Sequence, residues 1–333
     1  MRQFKAILYF VSLVAFFSCG SPETKTEEVK TEIQKVEPVA TKPRTIPPDF
    51  NSDSAYAYVK AQADMGPRTP GSKAHSKCVA YFEKELKRYG AKVSVQGETA
   101  STFDGLSWRI DNVIASFNPD LKDRILLCAH YDSRPFSDDD PKPENQKKPC
   151  PGVNDGASGA GVLLEIARIL KEKAPKVGID IILFDLEDYG NDDGDPETWC
   201  LGSQSWSKNP HLPGYKARYG ILLDMVGAKN AVFPKEGMST KYAPEILNKI
   251  WKTAQTLGYG QYFIDEKTID MTDDHVFVSE FSKVPCIDIL HYVPQTNKFF
   301  EHHHCTTDDL STIDKTTLKA VGQTLLELIY NEE

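Results

Sequence analysis

Five sites in this chain carry side chains of the types that bind zinc, and each lies where an element begins or ends: His130, Asp155, the adjacent pair Glu187-Asp188, Asp224 and the run His302–His304. Four of them follow short apolar runs that are typical of buried strands. In open α/β sheets the ligand crevice lies beyond the carboxyl ends of the strands. The pattern therefore predicts a zinc site at one edge of a sheet.

Two of these positions have simpler explanations when each is taken alone. His130 and Asp132 lie at a strand end, where Asp132 is expected to accept from the imidazole and fix its tautomer, although a solvated strand end is the alternative. Asp155 precedes a helix of small residues, so it is also a candidate N-cap. A nucleotide-binding loop and a serine nucleophile at Ser158 fit less well, because their Gly-Lys-Ser/Thr and Gly-x-Ser-x-Gly spacings are missing.

The adjacent carboxylates Glu187 and Asp188 are the most informative feature of the set. The pair directly follows an apolar run that is predicted to be a buried strand. Two adjacent charged carboxylates repel each other, which costs stability unless a cation or a proton lies between them. One of them can bind metal while the other serves as a general base. Asp224 adds a carboxylate among apolar residues, where an isolated charge would be costly. Surface exposure is the alternative for the histidine run.

The elements that must position these groups follow from apolar periodicity. We predict strands at 91–96, 109–117, 124–129, 179–184, 219–223 and 287–290. We predict helices at 52–65, 74–89, 158–173, 243–257 and 314–330, the first capped by Ser52 or Asp53. The alternation predicts an α/β fold, a single domain with a central mixed, mostly parallel sheet flanked by helices on both faces and the active site at the carboxyl ends of the strands.

Three long segments without a clear helix or strand pattern separate the core elements, at 133–153, 189–215 and 292–311. Loops of this length are uncommon in compact domains and usually serve a function. Each follows a proposed ligand position. We therefore expect them to gather at the same end of the sheet.

The amino terminus has the pattern of an exported protein. Residues 1–18 combine basic residues with an apolar run too short to span a bilayer, which predicts a signal peptide. Cys19 follows at once and resembles a lipobox cysteine, so we predict that it is lipidated. Residues 19–49, rich in Glu, Lys, Thr and Pro, are expected to form a disordered tether before a domain at 50–333. The predicted location is the bacterial cell envelope, on the periplasmic side or the cell surface.

Charge and cysteine content narrow the choice of partners. The net charge of −9 argues against a nucleic-acid partner, because no basic stripe is present to neutralise phosphates. No cysteines have C-x-x-C spacing, so a cysteine zinc site is not expected. Cys150 and Cys200 lie in loops beside the proposed site, and the sequence leaves open whether they form a disulfide. We expect a monomer.

Taken in order, these motifs resemble the M28-type zinc exopeptidase family. Within it, the chain is most similar to glutaminyl-peptide cyclotransferases of animal type and their bacterial lipoprotein relatives, particularly at 129–133, 223–228 and 273–277. The resemblance covers residues 53–330. It implies conversion of N-terminal glutamine in peptides or exported proteins to pyroglutamate.

The family's functional residues can be matched by position to residues of this chain, and the resemblance then implies a role for each candidate residue. One zinc ion would be held by Asp155, Asp188 and His304, and Glu187 would be the general acid/base. Catalytic carboxylates would be Asp224 with Asp273 or Asp274. His130 would bind a second zinc, as in the aminopeptidase relatives, or support the first. Trp199 and His303 would line the substrate pocket.

Two departures and two alternatives accompany this assignment. The family's usual Glu-Glu pair is Glu187-Asp188 here, and His303 replaces the tryptophan that commonly precedes the last histidine. The runner-up activity is an M28 aminopeptidase with two zinc ions and a water nucleophile. A catalytically silent, peptide-binding lipoprotein is the third hypothesis, and an intact Glu187 argues against it.

Overall fold

The computed structural model describes residues 44–191 and 194–332. The predicted signal peptide (1–18), the lipidation site Cys19 and most of the tether (19–49) lie outside the described residues. Within the described ranges, no helix is both long enough and apolar enough to cross a membrane.

Residues 44–49, which the sequence assigns to the tether, contact the last helix of the domain. Arg44 pairs with Glu327 at 2.7 Å, and the backbone N–H of Thr45 donates to the side chain of Asn331 at 2.9 Å. The compact unit accordingly begins at Arg44.

The strands of the described chain are β1 (Lys92–Ser101), β2 (Ser107–Phe117), β3 (Arg124–His130), β4 (Gly178–Phe184), β5 (Gly220–Asp224), β6 (Phe233–Lys235), β7 (Phe263–Lys267), β8 (Cys286–Leu290), β9 (Tyr292–Val293) and β10 (Lys298–Phe299). Six of them form the central sheet in the order β1-β2-β4-β3-β5-β8. The last four strands of this order are parallel, whereas β2 is antiparallel to both of its neighbours. The predicted mixed, mostly parallel sheet is confirmed.

The helices are α1 (Ser52–Ala63), α2 (Lys73–Arg88), α3 (Ala157–Glu172), α4 (Leu201–Lys208), α5 (Gly237–Tyr242), α6 (Pro244–Thr256), α7 (Asp274–Phe277) and α8 (Lys315–Tyr330). Side chains alternate between the two faces of a strand. Along β3, Leu127 packs in the core that includes α1, α3 and α8, whereas Leu126 and Cys128 pack with Trp206 of α4. Helices therefore cover both faces of the sheet, as predicted.

Two local predictions were wrong. Asn51, rather than Ser52 or Asp53, caps α1, because its side chain accepts from two backbone N–H groups of the first turn, at 3.0 and 3.1 Å. The segments 189–215 and 292–311 are not structureless, since the first contains α4 and the second contains β9 and β10. Trp206 anchors this short, polar helix by burying its ring 5.9 Å from that of Phe184.

The parallel strands bring the proposed ligand positions to one edge of the sheet. His130 is the last residue of β3 and Asp224 the last of β5, while Glu187 and Asp188 follow the end of β4. Because β3 pairs in parallel with both β4 and β5, the three ends are neighbours. This is the crevice position expected of an open α/β sheet.

Candidate metal centre and active-site cavity

Three buried side chains from separate loops converge at the edge of the sheet: Asp155, Asp188 and His304. One donor atom of each lies within 4.8 Å of the others. His304 Nε2 is 3.0 Å from Asp188 Oδ1 and 3.9 Å from Asp155 Oδ2. Asp188 Oδ1 has no hydrogen-bond partner among the described residues, although it is buried. Two carboxylates and an imidazole directed at a common point fit a zinc ion that keeps a fourth position open.

A second donor group shares Asp155 with the first. Nε2 of His130 lies 3.1 Å from Asp155 Oδ1 and 3.1 Å from Asp224 Oδ1. All three residues are buried, and the contact between His130 and Asp224 is a hydrogen bond. The structure therefore brings together every residue predicted to bind a first or a second metal.

Asp155 is oriented through its backbone. The carboxylate of Asp308 accepts from the backbone N–H groups of Asn154 at 2.9 Å and Asp155 at 3.0 Å. Gly156 follows with φ of +93°, and a Cβ there would lie 2.6 Å from the carbonyl oxygen of Asp132. Gly156 is the N-cap residue of α3, and no side chain caps this helix. Asp155 is therefore not a helix cap, and its carboxylate is available to a ligand.

Asp132 has a different role from the one predicted. Its carboxylate lies 3.6 Å from Nδ1 of His130, and Nδ1 has no hydrogen-bond partner among the described residues. Instead, its two oxygens accept from the backbone N–H groups of Glu187 and Asp188, each at 3.2 Å. Asp132 thus fixes the backbone of the acidic pair.

Backbone strain is concentrated around these groups. Four residues that are not glycine have positive φ here: Leu186 (50°), Cys200 (58°), Met225 (50°) and His304 (48°). Such conformations are disfavoured for side chains of this size and persist only where surrounding contacts impose them. Leu186 precedes Glu187, and Met225 follows Asp224. Two of the four strained positions therefore adjoin acidic residues of the site, and backbone strain of this kind is common at active sites.

Burial and neighbouring charges perturb the titration of the site. Burial lowers the pKa of His304 to about 3, so its imidazole is neutral, which is the form that binds metal. Burial raises the pKa of Glu187 well above its usual range. For Asp188, burial and then the nearby Asp155 charge raise the pKa in the same way. A raised carboxyl pKa suits a group that must both accept and return a proton.

A cavity of about 260 Å³ opens onto the donor atoms. Its polar lining includes Asp155, Glu187, Asp188, Asp224, Asp273, His303 and His304, and its apolar lining includes Trp199, Met225, Met271, Leu290 and Phe299. This size suits one small side chain rather than a length of peptide. Asp273 lines the cavity, whereas Asp274 does not.

The two predicted pocket residues flank the proposed metal ligand. The ring of Trp199 is stacked on that of His304, with centroids 6.0 Å apart and planes 7° apart. The ring of His303 is also stacked on that of His304, with the two centroids 3.6 Å apart. Nδ1 of His303 lies 3.0 Å from the carboxylate of Asp139. The guanidinium of Arg134 lies 4.7 Å from the centre of the Trp199 ring. The His304 ring is thus stacked with both predicted pocket residues.

The cysteines near the site are separate thiols in the structure. Cys150 Sγ lies 3.3 Å from the hydroxyl of Ser137, and Cys200 Sγ lies 3.4 Å from Glu187 Oε1. The disulfide that the sequence left open is therefore not formed. Sequence reasoning also missed the contact of Cys200 with Glu187, because the two residues meet only through the turn that leads into α4.

Comparison with known proteins agrees with the geometry. The family model for peptidase family M28 matches residues 112–329. The crystal structure of a Zn-dependent exopeptidase from Parabacteroides distasonis is 50% identical, with a TM-score of 0.84, over 86% of this chain and 100% of that one. The crystal structure of Bacteroides thetaiotaomicron glutaminyl cyclase bound to N-acetylhistamine is 49% identical, with a TM-score of 0.85, over the same shares. A glutaminyl-peptide cyclotransferase from Bothrops jararaca is 26% identical over 79% of this chain and 78% of its own length.

Proposed function

The chain belongs to peptidase family M28, and we propose that within this family it is a zinc-dependent glutaminyl-peptide cyclotransferase. It converts the N-terminal glutamine of a peptide or protein to pyroglutamate and releases ammonia. The similarity to a solved glutaminyl cyclase over 86% of the chain carries this proposal. The small cavity that joins Glu187 to the donor group is the geometry this reaction needs.

Asp155, Asp188 and His304 would hold the zinc ion. When bound, zinc supplies a Lewis acid that polarises an amide carbonyl and stabilises negative charge on its oxygen. Nε2 of His130 is hydrogen-bonded to Asp224 and lies 3.1 Å from Asp155, so His130 contacts both carboxylates beside the cavity. We propose one zinc ion per chain, with His130 as the hydrogen-bond partner of Asp224 and not as a second metal ligand.

Glu187 moves the proton. Its carboxylate takes a proton from the N-terminal amine as the amine attacks the side-chain amide, and returns it to the departing ammonia. The raised pKa of Glu187 makes its carboxylate a stronger proton acceptor in the first of these two transfers. Asp273 and Asp224 face the same cavity and hold the amine before the transfer. Since amine and amide belong to one residue, positioning supplies much of the rate.

The apolar lining fixes the conformation of the glutamine side chain. Trp199, Phe299 and Leu290 present apolar surface to the cavity that contains the carboxylates. A methylene chain packed against these residues is held bent, with its amide near the donor group and its amine near Glu187. Water is displaced from the same surface, which strengthens the electrostatic interactions inside the cavity.

An M28 aminopeptidase is the second candidate, and the His130–Asp155–Asp224 group favours it. This group offers three donor atoms within 4.8 Å of one another, which is a second metal site if a zinc ion displaces the hydrogen bonds. A peptide-binding protein without activity has less support, because Glu187 and every proposed ligand are in place.

Incubation with peptides tests the proposal. The domain is supplied with one peptide that begins with glutamine and a matched peptide that begins with leucine, and product masses are recorded. Loss of ammonia from the first peptide alone supports the cyclotransferase. Release of the first residue from the leucine peptide would instead establish the aminopeptidase.

We also propose that the protein is a monomer anchored in the bacterial cell envelope through lipidated Cys19. The support is the signal-like segment at 1–18 followed directly by this cysteine. A Cys19→Ala variant is expected to move from the membrane fraction to the soluble fraction. An unchanged distribution would exclude a lipid anchor at this residue.

A further inference from the structure

The two carboxylate oxygens of Glu187 have different surroundings. Oε1 lies 3.4 Å from Sγ of Cys200, which is the distance of a hydrogen bond donated by a thiol. Oε2 lies 3.7 Å from Nδ1 of His130, which is too long for a hydrogen bond. Among the described residues, no other side chain forms a hydrogen bond with this carboxylate. The proposed general base is therefore held at one oxygen and left open at the other.

Cys200 is brought to Glu187 by two paired backbone segments. The backbone N–H of Cys200 donates to the carbonyl of Glu187 at 3.0 Å, and that of Leu201 donates to the carbonyl of Leu186 at 2.9 Å. Cys200 has φ of +58° and ψ of +35°, a left-handed conformation that is disfavoured for a residue with a Cβ. Its side chain does not cap α4, so helix capping does not explain this conformation. In it, Cys200 contacts Glu187 through both its backbone N–H and its thiol.

The thiol of Cys200 does not open onto the cavity. Cys200 is completely buried and is not among the residues that line the cavity, whereas Glu187 is. This placement does not suit a nucleophile, and it fits a group that acts on the substrate through Glu187. A thiol with an ordinary pKa is already largely protonated at neutral pH. Burial, and then the charge of Glu187, raise the pKa of Cys200 well above its usual range, so the sulfur keeps its proton and acts as a donor.

We propose that Cys200 is a positioning residue for Glu187, and that its thiol, by occupying Oε1, directs proton transfer to Oε2. A proton of the substrate amine moves to Oε2 and from there to the departing ammonia, while the thiol proton remains on sulfur throughout. Without the thiol, the carboxylate turns more freely about its side-chain bonds, and fewer of its conformations present a basic oxygen to the amine. This assignment rests on the cyclotransferase function proposed above.

A double-mutant cycle tests this role. Cys200→Ala removes the donor, and the loss of one weak buried hydrogen bond corresponds to about a 3- to 10-fold change in rate. We expect kcat for ammonia release to fall by that factor, with KM and zinc content unchanged. In a Glu187→Gln background the same substitution should have no further effect on kcat, because the carboxylate through which it acts is absent. Cys78→Ala, at a fully buried cysteine of α2, is the matched control and should leave kcat unchanged.

Infrared spectroscopy tests the contact itself, independently of activity. The S–H stretching band of a thiol moves to lower frequency when the thiol donates a hydrogen bond. Glu187→Leu removes the acceptor, so we expect one S–H band of the wild type to move to higher frequency in this variant. The band that moves should be the one that is lost in Cys200→Ala.

The outcomes separate this role from a structural one. A Cys200→Ala protein with the kcat of the wild type, or an equal loss of kcat in the Glu187→Gln background, would overturn the proposal. S–H bands that are the same in the wild type and Glu187→Leu would also overturn it, and this comparison holds even if Cys200→Ala does not fold. A wild type that releases the first residue instead of ammonia would overturn the cyclotransferase function, while the infrared result would stand. The same variants would then be compared on the hydrolysis rate, with the same expected factor.

Discussion

Nε2 of His304 lies 3.0 Å from Oδ1 of Asp188, and this buried carboxyl oxygen has no hydrogen-bond partner in the described part of the chain. Two groups that approach this closely without bonding to each other are arranged for a third partner. The sequence offered three consecutive histidines for this role. Only His304 joins Asp155 and Asp188 in the donor group, whereas Nδ1 of His302 contacts Thr307 and Nδ1 of His303 contacts Asp139.

His304→Ala is expected to lose bound zinc and activity together, because only two protein ligands would remain. Zinc content measured by elemental analysis of the purified protein checks this result. His302→Ala is the matched control and should retain both zinc and activity. Full zinc content in His304→Ala would transfer the ligand role to a neighbouring histidine.

Glu187→Gln is expected to retain zinc and lower kcat by about 10²–10⁴-fold, because it removes the proton acceptor but preserves size. Asp188→Asn should instead lose zinc. Both are assayed for metal content and for ammonia release in parallel. The reverse pattern, with zinc lost only in Glu187→Gln, would exchange the roles of the two residues.

Asp132→Asn is expected to lower the free energy of unfolding by about 1.5–3 kcal/mol, since an amide has one acceptor oxygen for the two backbone N–H groups that Asp132 holds. Urea unfolding measures the change. Asp120→Asn, at an exposed position, should change stability by less than about 0.5 kcal/mol. Equal effects at the two positions would contradict the role of Asp132.

Asp273 should give the metal-free protein a distinct pH dependence. Burial, and then the charge of Asp224, raise its pKa from 3.8 to about 6. The folded state therefore binds more protons than the unfolded state between these values, and stability falls as pH rises through that window. We expect Asp273→Asn to abolish this decrease, so that its gain over the wild type grows from pH 3.8 to about 6 and is constant above. A gain that does not depend on pH would show that Asp273 does not titrate there.

The sheet and the position of the site could be predicted because each depends on local patterns. Uniformly apolar runs such as 179–184 are typical of strands buried on both faces. Once the strands are parallel, His130 and Asp224 must meet at one edge, whatever the detailed packing. The position of the site could therefore be predicted from the order of the ligand residues along the chain.

The parts that could not be predicted depend on contacts between distant residues. Leu186 and Met225 adopt positive φ, which no side-chain preference of theirs favours. Helix α4 is short and polar, and it is stabilised by burying Trp206 rather than by its own helix propensity. Asp288 interrupts an apolar strand by a single residue, so its closeness to Asp273 and His275 emerges only when β8 and α7 are packed together.

Asp224→Ala distinguishes the cyclotransferase from the aminopeptidase. In a two-zinc enzyme Asp224 would bind the second metal, so its loss should reduce the zinc content from two toward one. In a single-zinc enzyme its partner is His130, at 3.1 Å, and the metal content should remain near one while turnover collapses. We expect the second result, because a hydrogen-bonded imidazole already satisfies Asp224. Two zinc ions per wild-type chain, with one lost in the variant, would instead favour the hydrolase.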